Sequence, residues 1–409
     1  MSTSVSTLDT STKSKSQLKF HERLFIRLIE DLHFSCLRVE FPGNRVVIIG
    51  NDAMPLQDLK IEDVRFFKSV FWGGDVGFGE AYVNGYWSTT DLSGLILLLA
   101  KEKAQISRLH RGLSFLALLY NRLHHIARSN TLARSKHNIQ AHYDLSNDFY
   151  KSFLDPTMTY SSALFLKESD SLEQAQINKI DRMLDLAEVK SGDSILEIGT
   201  GWGALAIRAA QRGYRVKTIT LSGEQYSFAK KQFEAVGVAN QIELHLQDYR
   251  TLEGQFDAVI SCEMIEAVGK EYLSDYFRTV KQSLKNGAKA VIQSITISDD
   301  RYEEYSRECD WIQKYIFPGG HLPSIGAICS HVNKVGGTVV SSVDSFGKDY
   351  SETLRRWADR FNANRSKVME LGFDAAFCRK WNYYLSYCEA GFEAGMIDVN
   401  HVTLKRDYQ

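Results

Sequence analysis

The sequence predicts an α/β fold: a doubly wound, mostly parallel sheet, preceded by a smaller mixed domain. Three observations carry this. From Ser191 onward, apolar runs at 195–198, 216–221, 242–246, 258–261 and 288–297 have the length and continuous hydrophobicity of strands buried on both faces. Segments of helical length separate most of them, the alternation that builds parallel sheets with crossover helices. A glycine-rich turn, Gly199-Thr200-Gly201-Trp202-Gly203, follows the first run, where a ligand-binding strand-to-helix turn belongs. Residues 339–343 and 399–404 supply two closing strands.

With 409 residues the chain exceeds the usual size of one hydrophobic core and predicts two domains. Residues 1–17 have no apolar centre and no cleavage pattern, so they read as a disordered tail rather than an export signal. Residues 18–100 form the small domain. Within it, 18–32 has helical apolar spacing, and 36–41 and 45–49 flank Pro42-Gly43-Asn44 as a hairpin. Residues 138–409 form the large domain.

The connector, 101–137, sets Lys101, Lys103, Arg108, Arg111, Arg122, Arg128, Arg134 and Lys136 against a single acid, Glu102. Leu109, Leu113, Leu116, Tyr120 and Leu123 share one helical stripe, with Arg108, Arg111 and Arg122 opposite. Such a helix lies on a bilayer surface with its bases at anionic head groups, or it joins two domains with a solvated flank; both readings stand.

Composition narrows the class. Hydrophobic residues are 44% and charged residues 24%, the balance of a globular enzyme. A formal net charge of -1 excludes a global pull toward nucleic acid. The apolar run 92–100 is about half the length that spans a bilayer. The six cysteines show no CxxC pair and no metal-ligand rhythm, so reduced thiols, a cytoplasmic protein and no metal site are expected.

In the glycine turn, Glu197 stands at the strand end and Gly199, Gly201 and Gly203 let a ligand approach the backbone and the new helix's free N–H groups. The GxGxG pattern alone fits nicotinamide, flavin and S-adenosylmethionine (SAM) proteins, but it lacks the G-x-x-G tail of a pyrophosphate site. Gln247-Asp248-Tyr249 ends the third run, where Asp248 can accept from an adenine amino group and Tyr249 can stack on the ring.

The segment His142 to Phe165, HYDLSNDFYKSFLDPTMTYSSALF, packs aromatics, acids and hydroxyls too densely for a linker. It closely resembles the cyclopropane-fatty-acyl-phospholipid synthase family, whose relatives include the mycolic acid cyclopropane synthases. The resemblance covers essentially the whole chain beyond the tail. It extends to Gly77–Trp87 and to Trp311–Pro323, WIQKYIFPGGHLP, expected to wall an acyl channel. It implies a class I SAM-methyltransferase (Rossmann-like) sheet, SAM as methyl donor, a homodimer, and phospholipid acyl chains met from the inner face of the membrane. Tyr160 and Ser161 would border the cofactor, with His142 and Tyr143 over its pocket. Thr220 and Gln225, in a turn like the family's T-x-S-x-E-Q, would meet the ribose and methionine parts.

The resemblance also implies a bound bicarbonate that takes a proton from the transferred methyl as the ring closes. Its cradle maps onto Glu266, Tyr350 and the backbone N–H of Ile295. Ser162 stands for the family's cysteine and Gln293 for its histidine. Both can donate to bicarbonate, but neither titrates near neutral pH. Methyl transfer is therefore expected with cyclopropane closure as the default. The alternative is loss of a neighbouring proton, giving a methyl-branched unsaturated chain. Cys388 matches a cysteine sometimes assigned as catalytic, although methylation of an alkene needs no thiol, and a buried structural role is favoured. Two rival readings remain: an N-methyltransferase of a soluble amine, and a non-catalytic lipid-binding relative.

Overall fold

The computed structural model describes residues 18–30, 36–50, 57–101 and 145–407. The tail 1–17, the connector beyond Lys101, and His142 and Tyr143 lie outside them. Two compact units emerge: Met1–Asn121 with Gly372–Ala394, and Arg122–Leu371 with Gly395–Gln409.

In the first unit β1 (Cys36–Phe41) and β2 (Arg45–Gly50) form the expected hairpin, with Gly43 and Asn44 at φ 89° and 60° turning the chain. β3 (Gln57–Ile61) pairs parallel with β1, and β4 (Trp87–Ser88) closes the sheet in the order β2-β1-β3-β4. Phe25, Phe41, Phe66 and Phe67 pack edge and face within this unit. Glu22 is fully buried and accepts both arms of the Arg45 guanidinium, at 2.5 and 2.7 Å.

One boundary differs from expectation. The segment 372–394 does not belong to a continuous large domain 138–409 but groups with the first unit. Its helix Ala375–Glu393 packs on helices Leu92–Lys101 and Arg65–Val83. Ser93 Oγ donates to Glu389 at 2.6 Å and Arg379 Nε to the Val83 carbonyl at 2.8 Å.

The second unit holds the predicted sheet. Its strands are β5 (Ser194–Ile198), β6 (Arg215–Thr220), β7 (Ile242–Leu246), β8 (Phe256–Cys262), β9 (Leu284–Ile297), β10 (Thr338–Ser345) and β11 (Ile397–Arg406). The order is β10-β11-β9-β8-β5-β6-β7; β5 to β9 run parallel, and β11 is antiparallel to both neighbours. Alternate residues feed the two faces. Ile195, Ala258 and Ile260 join one core with Met183, Leu205 and Phe233. Leu196 and Val259 join the other with Tyr276, Phe277 and Val332. Chain order reverses between β5 and β8, so a ligand crevice belongs beyond the carboxyl ends of those two strands.

Removing one partner of the buried Glu22–Arg45 pair should expose its cost. Arg45→Ala is expected to lower stability by about 3–5 kcal/mol, while Glu22→Gln/Arg45→Met recovers most of it. Urea unfolding of both variants reads the difference.

Candidate active site

Beyond β5 and β8 opens a cleft lined by Tyr160, Gly201, Gln225, Gln247, Tyr249 and Glu263 among others. Gly199, Gly201 and Gly203 all adopt positive φ (102°, 54° and 99°), and helix Ala204–Gln211 starts directly after them. The turn is braced from below. Glu197 is buried and accepts from Thr218 Oγ1 at 2.5 Å, while Thr200 and Thr218 hydroxyls meet at 2.7 Å. Burial pushes the Glu197 carboxyl up to about 8, with the Thr218 hydrogen bond and Lys179 opposing. Glu197 thus ties β5 to β6 beneath the turn. Trp202 Nε1 reaches Asn147 Oδ1 at 2.7 Å, fastening the turn to the aromatic segment.

At the end of β6 the Thr220 hydroxyl donates to Gln225 Oε1 at 2.9 Å. The pairing holds the Gln225 side chain at the cleft wall. After β7, Gln247 donates to Thr251, and the Asp248 carboxylate takes the Arg250 guanidinium at 2.9 and 2.7 Å. Asp248 therefore anchors its own loop, and Gln247 and Tyr249 are the residues of that trio lining the cleft. Tyr249 packs edge-on to Tyr276 at 5.7 Å, and burial pushes its hydroxyl up to about 12. A cleft with a flexible glycine floor, a fresh helix terminus and a partly buried aromatic at its side fits a nucleoside such as SAM.

The inner wall carries the chemistry. Just past β8, Glu263 adopts φ 49°, a left-handed conformation that non-glycine residues avoid. Its Oε1 accepts from Ser162 N at 2.8 Å and Gln293 Nε2 at 2.7 Å, and its Oε2 accepts from Tyr350 OH at 2.7 Å. Gln293 Nε2 also donates to the Ser162 carbonyl at 3.3 Å, and Gln293 Oε1 lies 3.0 Å from His401 Nε2. Buried His401 is pushed down to about 3 and stays neutral, so its Nε2–H is the donor in that bond.

Glu266 sits one turn on. Its Oε1 accepts from Ile295 N at 2.6 Å, and its backbone carbonyl accepts from His321 N at 2.8 Å. Among the described residues its Oε2 is buried without a hydrogen-bond partner. Burial first, then the neighbouring Glu263 charge, push Glu266 up to about 8. Burial raises Glu263 too, against Lys179 and three donors. Three donors face Glu263 and one faces Glu266, so hydrogen bonding favours the negative charge on Glu263.

The structure brings Ser162, Glu266, Gln293, Ile295 and Tyr350 together as expected, but the donors meant for bicarbonate already serve carboxylates of the chain. Ser162 N, Gln293 Nε2 and Tyr350 OH bond Glu263, and Ile295 N bonds Glu266. A separate bicarbonate does not fit this arrangement. Ser162 Oγ turns back to the Ala163 carbonyl at 3.0 Å. Cys388 belongs to the first unit, on helix Ala375–Glu393, and not to this constellation.

Sequence reasoning missed Glu263, His401 and Lys179. Lys179 is buried on helix Leu172–Leu186, with Nζ 2.6 Å from Ser161 Oγ and 3.3 Å from Cys262 Sγ. Ser161 is thereby held beside the acids. Tyr160 packs against Tyr150 and Trp357, with centroids 5.4 and 5.3 Å apart. Glu263 stood outside the motif that begins at Ile265; its signal was an acid directly after the carboxyl end of the buried strand β8. His401 lies opposite Gln293 only through the β11–β9 register.

Two consequences are measurable. A carboxyl raised in the fold contributes stability present at low pH and lost as pH climbs through its folded value. Urea midpoints of wild type should therefore fall relative to Glu266→Gln between about pH 5 and pH 8, by on the order of a few kcal/mol. At Gly203 a Cβ would lie 2.6 Å from Phe233 Cε1 and 3.2 Å from Ala229 Cβ. Gly203→Ala should cost about 1–3 kcal/mol and weaken SAM binding at least tenfold by calorimetry.

Comparison with known proteins fits this geometry. The family described as mycolic acid cyclopropane synthetase matches residues 130–402. Tuberculostearic acid methyltransferase UfaA1 of Mycobacterium tuberculosis is 42% identical over 344 residues, 82% of this chain and 79% of that protein. The cyclopropane-fatty-acyl-phospholipid synthase of Escherichia coli is 32% identical over 369 residues, 89% of this chain and 91% of that protein. The solved structure of mycolic acid cyclopropane synthase CmaA1, complexed with SAH and CTAB, superposes with a TM-score of 0.61 at 29% identity, covering 66% of this chain and 98% of that one. A match over more than half the chain, joined by a relative that spans most of its length, makes this chain a member of the mycolic acid cyclopropane synthetase family and a SAM-dependent methyltransferase.

Proposed function

We propose that the chain methylates the cis double bond of unsaturated acyl chains in membrane phospholipids and closes a cyclopropane ring. The observation that carries this reading is the Glu263 carboxylate on the inner wall of the SAM cleft, held by three donors. SAM when bound supplies an electrophilic sulfonium methyl. The residues of the chain answer what its transfer to an alkene creates, a carbocation. An ionised Glu263 in a low-dielectric wall offsets that charge, and the Tyr160 ring lining the same cleft adds to it. The segment around Tyr160, Ser161 and Ser162 narrows the cleft against water.

The phospholipid as substrate is favoured by the likeness, over 89% of this chain, to a cyclopropane-fatty-acyl-phospholipid synthase. No described helix is long and apolar enough to cross a membrane. Peripheral attachment through the basic segment 101–137 at the cytoplasmic face, and homodimer formation, complete the proposal. A methyl-branched product is the second reading, favoured by the 42% identical relative, which is named a methyltransferase rather than a cyclopropane synthase. Site residues that would act on the substrate are Glu263, Glu266, Tyr350 and Gln293.

Incubation with methyl-labelled SAM and vesicles of cis-unsaturated phospholipid should move label into the acyl chains. Fragmentation mass spectrometry should place the added carbon in a ring. Label in a methyl branch selects the second reading, and no lipid label under conditions where SAM binds refutes both.

A further inference from the structure

The donors that would cradle a bicarbonate converge instead on a side chain of the protein, and this carries a consequence for the reaction. We propose that Glu263 is a built-in base that takes the bicarbonate's place, so that this enzyme works without the anion. The proposal deepens the methyltransferase reading and rests on it.

Three features support it. First, the expected donors are taken: a backbone N–H, an amide and a phenol donate to the two Glu263 oxygens at 2.7–2.8 Å, so among the described residues these three already serve a carboxylate. Second, the surroundings are matched to a fixed carboxylate. Gln293 is held with its nitrogen toward Glu263 because neutral His401 donates to its oxygen. Third, the chain tolerates a left-handed φ of 49° at Glu263, a strain that places the carboxylate at the strand end rather than out in solvent.

The step balances with this one group. The alkene π pair forms the new carbon–carbon bond as the carbon–sulfur bond of SAM breaks, releasing neutral S-adenosylhomocysteine. An ionised Glu263 oxygen then takes a proton from the transferred methyl, and the freed C–H pair closes the ring onto the cationic carbon. Removal of a proton from the adjacent chain carbon by the same oxygen gives the branched alkene instead. The proton leaves Glu263 for water when product departs. Burial, which raises this carboxyl above its ordinary range, makes it the stronger base for the task.

Three measurements on the full-length protein decide the matter. In carbon-dioxide-free buffer the wild-type rate of lipid methylation should be unchanged, and added bicarbonate should leave it unchanged within twofold. Glu263→Gln should lose 100-fold or more in kcat while keeping SAM affinity within about threefold. In NMR titrations, 13C-labelled bicarbonate should show no saturable binding to wild type but bind Glu263→Ala, whose truncation frees the donors. A wild-type rate that collapses without bicarbonate and returns with it would overturn the proposal, as would saturable bicarbonate binding to wild type displaced from Glu263. So would near-normal turnover in Glu263→Gln. The NMR arm needs no turnover, so absence of lipid methylation counts against the methyltransferase substrate while the bicarbonate titration still judges Glu263.

Discussion

The Glu263 carboxylate is the contact on which the site depends. It joins four separate pieces of the second unit: the segment carrying Ser162, the end of β8, the middle of β9 through Gln293, and the start of helix Gly347–Ala363 through Tyr350. Neighbouring bonds reinforce the same clasp. Ala163 N donates to Thr353 Oγ1 at 3.1 Å and Phe165 N to Asp349 Oδ1 at 2.6 Å. Without a negative charge at 263, three donors would point at one empty spot in a poorly solvated wall, and each unsatisfied group costs on the order of 1–3 kcal/mol.

That charge is affordable because its neighbours divide the labour. Lys179 brings a buried cation near Glu263 while bonded to Ser161, and Glu266 and Glu197 are pushed toward their neutral forms. Two like charges a few residues apart would repel strongly in a low dielectric, so one proton between Glu263 and Glu266 is the stable loading. The wall thus presents one negative charge toward a sulfonium donor and the cation its methyl generates. Glu266, whose Oε2 has no hydrogen-bond partner among the described residues, is near enough for the Glu263 charge to raise it.

Much of this was legible in the chain. The central strands of the large sheet were visible as apolar runs because buried parallel strands carry apolar residues on both faces, and the hairpin announced itself through Pro42-Gly43-Asn44. Glu266, Tyr350, Gln293 and Ser162 came from motif resemblance and do converge. What stayed hidden depends on tertiary pairing. His401 faces Gln293 only once β11 has chosen its register on β9. Lys179 occupies a core-facing stripe of its helix, and the sequence cannot say that a cluster of acids waits there. The helix Ala375–Glu393 has an apolar face but no signal of which unit it will cover. Reading the cradle one motif at a time also concealed that Gln293 lies between a carboxylate, Glu263, and a distant histidine, His401.

A crystal structure with bound S-adenosylhomocysteine, grown in bicarbonate-containing solution, tests the central claim most directly. The account predicts the Glu263 carboxylate within hydrogen-bonding distance of Ser162 N, Gln293 Nε2 and Tyr350 OH, with no separate anion among them. Density for a bicarbonate on those three donors, with Glu263 turned away, would contradict it.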